Sequence, residues 1–470
     1  MDDADHRDDW RHMADDPGRE DPFSEFFKQF GFGGSQPADL NAMLQQLQAA
    51  LSQMGMGGMF ATGPNQSGGM SWETIRDIAR RTVSGEGSDP TTSAADLTEL
   101  RDAVRLAEMW LDEVTELPGG SPKVEVWSRA EWVENTMGTW RRMIDPVMES
   151  MAEAMADSVT AEGLADEQAA GLEAMLRPLV KSSGANMFGL QAGQAIGKLA
   201  VQVLSATEAG LPLDGEHADT LALLPHNVAA FAEGLTQSKS DILLYLALRE
   251  AARLRLFRTA AWLGPQMLNL IEQYARGIKI DTSWMEDAAR QVEENGFSPE
   301  TMAELQQQME GRLFSPVPSP NQAAVLARLE TLLALVEGWV DDVVAEATAK
   351  WMPNAVPLAE TLRRRRATDG PAEAVFQALV GLELRPRRMR DAANLWAAIR
   401  TAVGNQQRDG LWKHPDLVPD EAALDDPVGF AAELSGSGES HDLDAELEKL
   451  LNSEGGPTEG NPTEEDPPQN

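Results

Sequence analysis

The stretch Tyr245–Phe257, YLALREAARLRLF, carries strong helix formers in a 3.6-residue rhythm, yet its charges sit where an apolar face belongs. Ser238 and Asp241 give an S-x-x-D start signal, and Gly264-Pro265 reads as the stop. At 100° per residue, Arg249 and Arg253 fall within about 40° of each other. Ile242, Leu243, Leu246, Leu256 and Phe257 surround them, and Glu250 shares their sector. Arg255 and Arg258 fall opposite, on the expected solvent side. Three charges inside an apolar stripe must find partners, because an unpaired buried charge costs several kcal/mol.

One partner is legible further along. In LETLLALVEGWVDDVV the stripe Leu329, Leu333, Val336, Val340, Val344 includes Glu337. Gly338 follows at once and lets a neighbouring group approach closely. The plainest reading is a buried ion-pair cluster that joins two core helices. R-E-A-A-R also has the outline of H-E-x-x-H, the zinc-protease helix, with arginine at both histidine positions.

Outward from these two segments the same rhythm continues. SWETIRDIARRTV, DLTELRDAVRLAEMWLDEV and RAEWVENTMGTWRRMIDPVMESMAEAMADS come first. DEQAAGLEAMLRPLVKSSG, NMFGLQAGQAIGKLAVQVLSAT, MLNLIEQYARGI and SPETMAELQQQMEG follow, with two further helices around 372–381 and 391–403. Only pieces such as KVEVW have strand character. The fold class is therefore mainly α, without an internal repeat. Gly189, Gly193 and Gly197 recur every four residues, so one helix face admits the close approach of another. This spacing is not a nucleotide-binding glycine loop.

Composition bounds the rest. The 470 residues are long enough for a sizeable core, and the net charge is −37. Residues 415–470 hold 16 acids against one lysine, and residues 1–34 hold 10 acids against four bases. Three regions are expected: a flexible arm over 1–70 with short amphipathic helices, a helical body over 71–430, and a disordered acidic tail over 431–470. The absence of cysteine excludes disulfides, thiolate ligands and cysteine nucleophiles. No apolar run reaches the ~18 residues of a membrane span, and MDDADHRDDW lacks a secretory h-region, so a soluble, cytoplasmic protein is expected. The acidic balance argues against nucleic-acid binding. One positive concentration stands out: Arg363, Arg364, Arg365 and Arg366 with Arg385, Arg387, Arg388 and Arg390. It reads as a charged surface or as a patch for an anion or acidic partner. No G-x-S-x-G elbow supports serine hydrolysis. Of six histidines, His6, His12 and His441 lie in the tails and His414 in a late loop; His217 and His226 flank a short run read as helical.

MFGLQAGQAIGKLA, LLPHNVAAFAEGL, YLALREAARLRLF, LLALVEGWVDDVV and VGLELRPRRMRDAANLW, in this order, resemble the actinobacterial zincin-like hydrolase family. These proteins are often labelled zinc-dependent metalloproteases and are related to proteins associated with deazaflavin-coenzyme biosynthesis. The resemblance covers roughly Ser71 to Phe430. It implies a zincin-like helical body in which two histidines of HExxH bind zinc, their glutamate polarises the bound water, and a later glutamate is a third ligand. By position these roles fall on Arg249, Arg253, Glu250 and Glu337. Arginine stays protonated and offers no lone pair, so zinc is the family expectation but is not expected in this chain. The expectation is a catalytically degenerate pseudoenzyme, metal-free, with guanidinium groups as counter-charge, that works through binding or scaffolding. A protein partner would dock on the N-terminal arm or in the former active-site cleft. The competing enzyme reading keeps Glu250 and Glu337 as acid/base carboxylates around a metal held by other ligands such as His226.

Overall fold

A computed structural model describes residues 70–160, 167–208, 210–213, 217–277, 319–369 and 386–436. The expected arm, nearly all of the acidic tail, and the segments SPETMAELQQQMEG and 372–381 lie outside them. The described body is mainly helical, with one two-stranded parallel sheet.

In chain order, α1 is Trp72–Gly85, α2 is Ala94–Leu111, β1 is Lys123–Val126, α3 is Arg129–Thr160 and α4 is Glu167–Gln202. Then come β2 (Thr220–Leu223), α5 (Pro225–Ala232), α6 (Lys239–Thr259), α7 (Leu263–Arg276) and α8 (Pro320–Ala349). After these run α9 (Ala355–Asp369), α10 (Pro386–Gly410), α11 (Glu421–Asp425) and α12 (Pro427–Leu434). Among the described residues no helix is long and apolar enough to cross a membrane.

Close glycine contact ties the first layer together. A Cβ at Gly193 would stand 2.8 Å from the Ile75 carbonyl oxygen, and one at Gly197 would stand 2.6 Å from that of Ala79. The glycine face thus brings the α4 backbone directly against α1. DEQAAGLEAMLRPLVKSSG and NMFGLQAGQAIGKLAVQVLSAT form one continuous helix rather than two, so Ser182-Ser183-Gly184 does not break α4. The run between His217 and His226 contains β2, a strand and not a helix. Its four residues, TLAL, are all buried and pair residue for residue with KVEV of β1. The α3–α4 pair makes the crossover that a parallel pairing requires.

Two helices set up the site. The side chain of Ser238 accepts the Asp241 amide and caps α6 as its sequence indicates. The helix ends at Thr259, five residues short of the expected signal at Gly264. Pro265 instead sits in the first turn of α7, where the missing amide hydrogen costs nothing. Ser319 caps α8 through a capping box with Gln322. α6 packs against α2, α8 and β2, so it is buried all round. That overturns the expectation for Arg255, which is 1% exposed. Its guanidinium bonds Glu108, Asp112 at 2.7 Å and the Leu117 carbonyl at 3.3 Å. Arg258 is partly buried and pairs with Asp219 at 2.6 Å. A central helix has no solvent side.

Candidate functional site

The charges of α6 and α8 meet in the core. Arg253 clasps Glu337 with two parallel bonds, Nε to Oε1 at 2.6 Å and Nη2 to Oε2 at 3.0 Å. This fork geometry is the strongest carboxylate contact arginine makes. Arg249 Nη2 donates to Glu337 Oε2 at 2.9 Å, and its Nη1 donates to Asp341. Arg253 Nη1 reaches Glu250 Oε2 at 3.3 Å. The four side chains Arg249, Glu250, Arg253 and Glu337 are all nearly closed to solvent. Gly338 makes room on the opposite flank, where a Cβ would lie 2.6 Å from that of Ala392 on α10.

The sheet positions Glu250. Residues 204–206 run antiparallel beside β2, with Leu224 donating to the Leu204 carbonyl and Ala206 donating to that of Ala222. This aims the next turn at α6. The Thr207 amide donates to Glu250 Oε1 and its hydroxyl to Oε2, both at 2.9 Å. Ser205 adds a further hydrogen bond. Both carboxylate oxygens are therefore engaged, and no face of Glu250 is open to water.

The two glutamates shift in opposite directions. Burial works to raise both, because it disfavours the charged form. For Glu250 burial wins over the field of Arg253 and the Ser205 and Thr207 bonds, so its carboxyl lies above the usual range. For Glu337 burial loses to Arg253, Arg366 and Arg249, and the carboxyl is held well below the usual range. Asp341 is lowered too, with burial outweighed by Arg249 and Arg366. Burial raises the Tyr245 hydroxyl beside Arg249.

Two participants were not anticipated as members of the cluster. Asp341 lies four residues after Glu337 and so shares its face, a spacing that could have revealed it; Asp341-Asp342 reads as a solvated acidic pair. Arg366 was expected on the positive patch, yet its Nη1 stands 2.7 Å from Glu337 Oε2. The rest of that run is also paired. Arg363 meets Asp341 at 3.4 Å, Arg364 meets Glu360 at 2.9 Å, and Arg365 meets Glu208 at 2.8 Å. On α10, Arg388 bridges Glu421 and Asp425, each at 2.6 Å, while Arg390 is exposed. Arg385 and the Arg387 side chain lie outside the described residues. His226 is half-buried on α5 and is not among the partners of Glu337, whose oxygens are taken by Arg249, Arg253 and Arg366.

Zinc does not fit this donor set. Arg249 and Arg253 present only N–H donors, and Glu337, the lone-pair group at the remaining position, already accepts from three guanidinium groups. Among the described residues no group of three or more His, Asp or Glu side chains is placed to hold a metal ion. With every member ionised, Arg249, Arg253 and Arg366 balance Glu250, Glu337 and Asp341.

Comparison with known proteins gives two matches. A family model described as zincin-like metallopeptidase matches residues 70–431. A solved structure from Chloroflexus aurantiacus, described as a "putative hydrolase with a novel fold", shares 19% identity with the chain at a TM-score of 0.53. The alignment covers 78% of this chain and 98% of that one, and at this identity the likeness is one of fold. No curated protein matches the sequence.

Proposed function

The chain belongs to the zincin-like metallopeptidase family, and we propose that this member has exchanged the family's metal for guanidinium groups and acts by binding rather than hydrolysis. The observation that carries the reading is the pair of bonds from Arg249 and Arg253 to Glu337. The helix positions that would hold zinc through two neutral histidines hold two cations instead. A divalent ion between two carboxylates and two arginines between the same carboxylates neutralise equal charge, so the exchange preserves balance in the core.

Glu250 occupies the general-base position, but it is 1% exposed and its oxygens are bonded to Thr207 and Arg253. A base must reach the proton it takes, directly or through one water. The residue is a vestige that holds the Ser205–Thr207 turn. Binding through the former cleft or the N-terminal arm, in a cytoplasmic setting suited to a chain without cysteine, completes the proposal.

The test is a peptidase assay of the full chain on a mixed peptide pool with added zinc, run beside Glu250→Gln. No difference between the two proteins is expected. Cleavage that disappears in Glu250→Gln would restore the enzyme reading.

A further inference from the structure

The two halves of α9 are held differently. Its first half buries Ala355, Leu358 and Leu362. Residues 363–366 carry no apolar side chain, and ion pairs fasten this stretch. Arg363 reaches Asp341 and Arg366 reaches Glu337, both on α8. Arg365 pairs with Glu208, donates to the Gln202 carbonyl at the end of α4, and lies 5.8 Å over the Phe231 ring of α5. Arg364 pairs with Glu360 one turn back on its own helix. Arg363, Arg365 and Arg366 thus reach from α9 to α8, α4, α5 and the Glu208 turn.

The charges explain why this half-helix closes. Glu250, Glu337 and Asp341 meet only two guanidinium groups from α6, those of Arg249 and Arg253. Arg366 supplies the third cation, Arg363 makes a second contact to Asp341, and Arg365 neutralises Glu208 beside the cluster. We propose that the second half of α9 is an electrostatic latch over the cluster, able to open while α6 and α8 stay folded. It opens when its cations are screened or displaced, because the half-exposed Arg363–Asp341 pair, and to a lesser degree Arg365–Glu208 and Arg366–Glu337, are weakened by salt more than the fully buried Arg253–Glu337 fork. Segments held by few apolar contacts sit at the low end of local stability. The latch follows from cluster geometry and stands whether or not the chain hydrolyses anything.

Hydrogen exchange on the full chain, read by mass spectrometry, tests this. Raising NaCl from about 0.05 M to about 1 M, where the screening length falls to ~3 Å, is expected to speed exchange of the 363–369 amides roughly fivefold or more. Peptides from α6 and α8 should not change. At low salt, R363Q/R365Q/R366Q should reproduce the effect. An α9 indifferent to salt overturns the latch. So does an α9 that loses protection only together with α6 and α8, since it would then be one piece with the core.

Discussion

Two buried ionic knots hang on α8, and adjacent residues, Asp341 and Asp342, belong to different ones. The first joins α8 to α6 and α9 through Arg249, Arg253 and Arg366. The second joins α8 to α10. Arg408 Nη1 and Arg400 Nη2 each stand 3.0 Å from Asp342, and Arg408 also holds Asp409 at 2.8 Å. Arg408 is fully buried and donates to the Val114 carbonyl at 2.8 Å, while Asp409 accepts from Trp339 and Thr115. The centre of the second knot, Arg408, Asp342 and Asp409, is as buried as the first, while Arg400 and Glu346 at its edge are partly exposed. Burial and pairing therefore do not mark a functional site. What separates the knots is placement: the first occupies the 249-250-253 spacing on α6, with two glutamates shifted in opposite directions, whereas the second staples a loop to two helices.

That contrast can be broken by mutation. Glu337→Ala leaves three guanidinium groups facing one another, and a loss of about 3–5 kcal/mol in unfolding free energy is expected from urea titration. Arg408→Met should cost less, about 3 kcal/mol, because Arg400 still neutralises Asp342 and the methionine fills part of the space. If Arg408→Met proved the more damaging of the two, the first knot would not be the tighter one.

Acid sharpens the comparison within the first knot. Glu337 and Asp341 have lowered carboxyl values in the folded state, so their stabilisation is present above the unfolded value of about 4 and is lost as pH falls through the folded one. Glu250 is raised and has the opposite sign: its contribution favours folding when protonated and fades as pH rises above about 4.3. Between about pH 5 and pH 2.5, urea-measured stability should fall more steeply in the wild type than in Glu337→Gln. Equal slopes would mean that Glu337 is not held by its arginines. The smallest effect is expected from Arg364→Ala: its pair with Glu360 is exposed and screened by solvent, and the same titration should show a far smaller change than either cluster variant.

Much of this arrangement was legible in the sequence. A cap signal and periodicity located α6, periodicity alone located α8, and the apolar neighbours of Arg249, Arg253 and Glu337 marked them as buried charges. Arg255 was misjudged because an amphipathic helix was assumed, and packing on α2, α8 and β2 leaves α6 no exposed face. The strand TLAL escaped notice because a short, fully buried strand lacks alternation, and only its pairing with KVEV distinguishes it from a helical segment. Arg366 resembled a surface charge because a run of four arginines carries no sign of which one turns inward. Its role depends on where α9 docks, a long-range contact that local pattern does not encode.

The most direct test of guanidinium groups standing in the place of a metal is elemental analysis of the purified full chain, expressed in zinc-supplemented medium. Zinc far below one equivalent per chain is expected, with a melting temperature unchanged by a chelator. Near-stoichiometric zinc that is lost in Glu337→Ala would contradict the account.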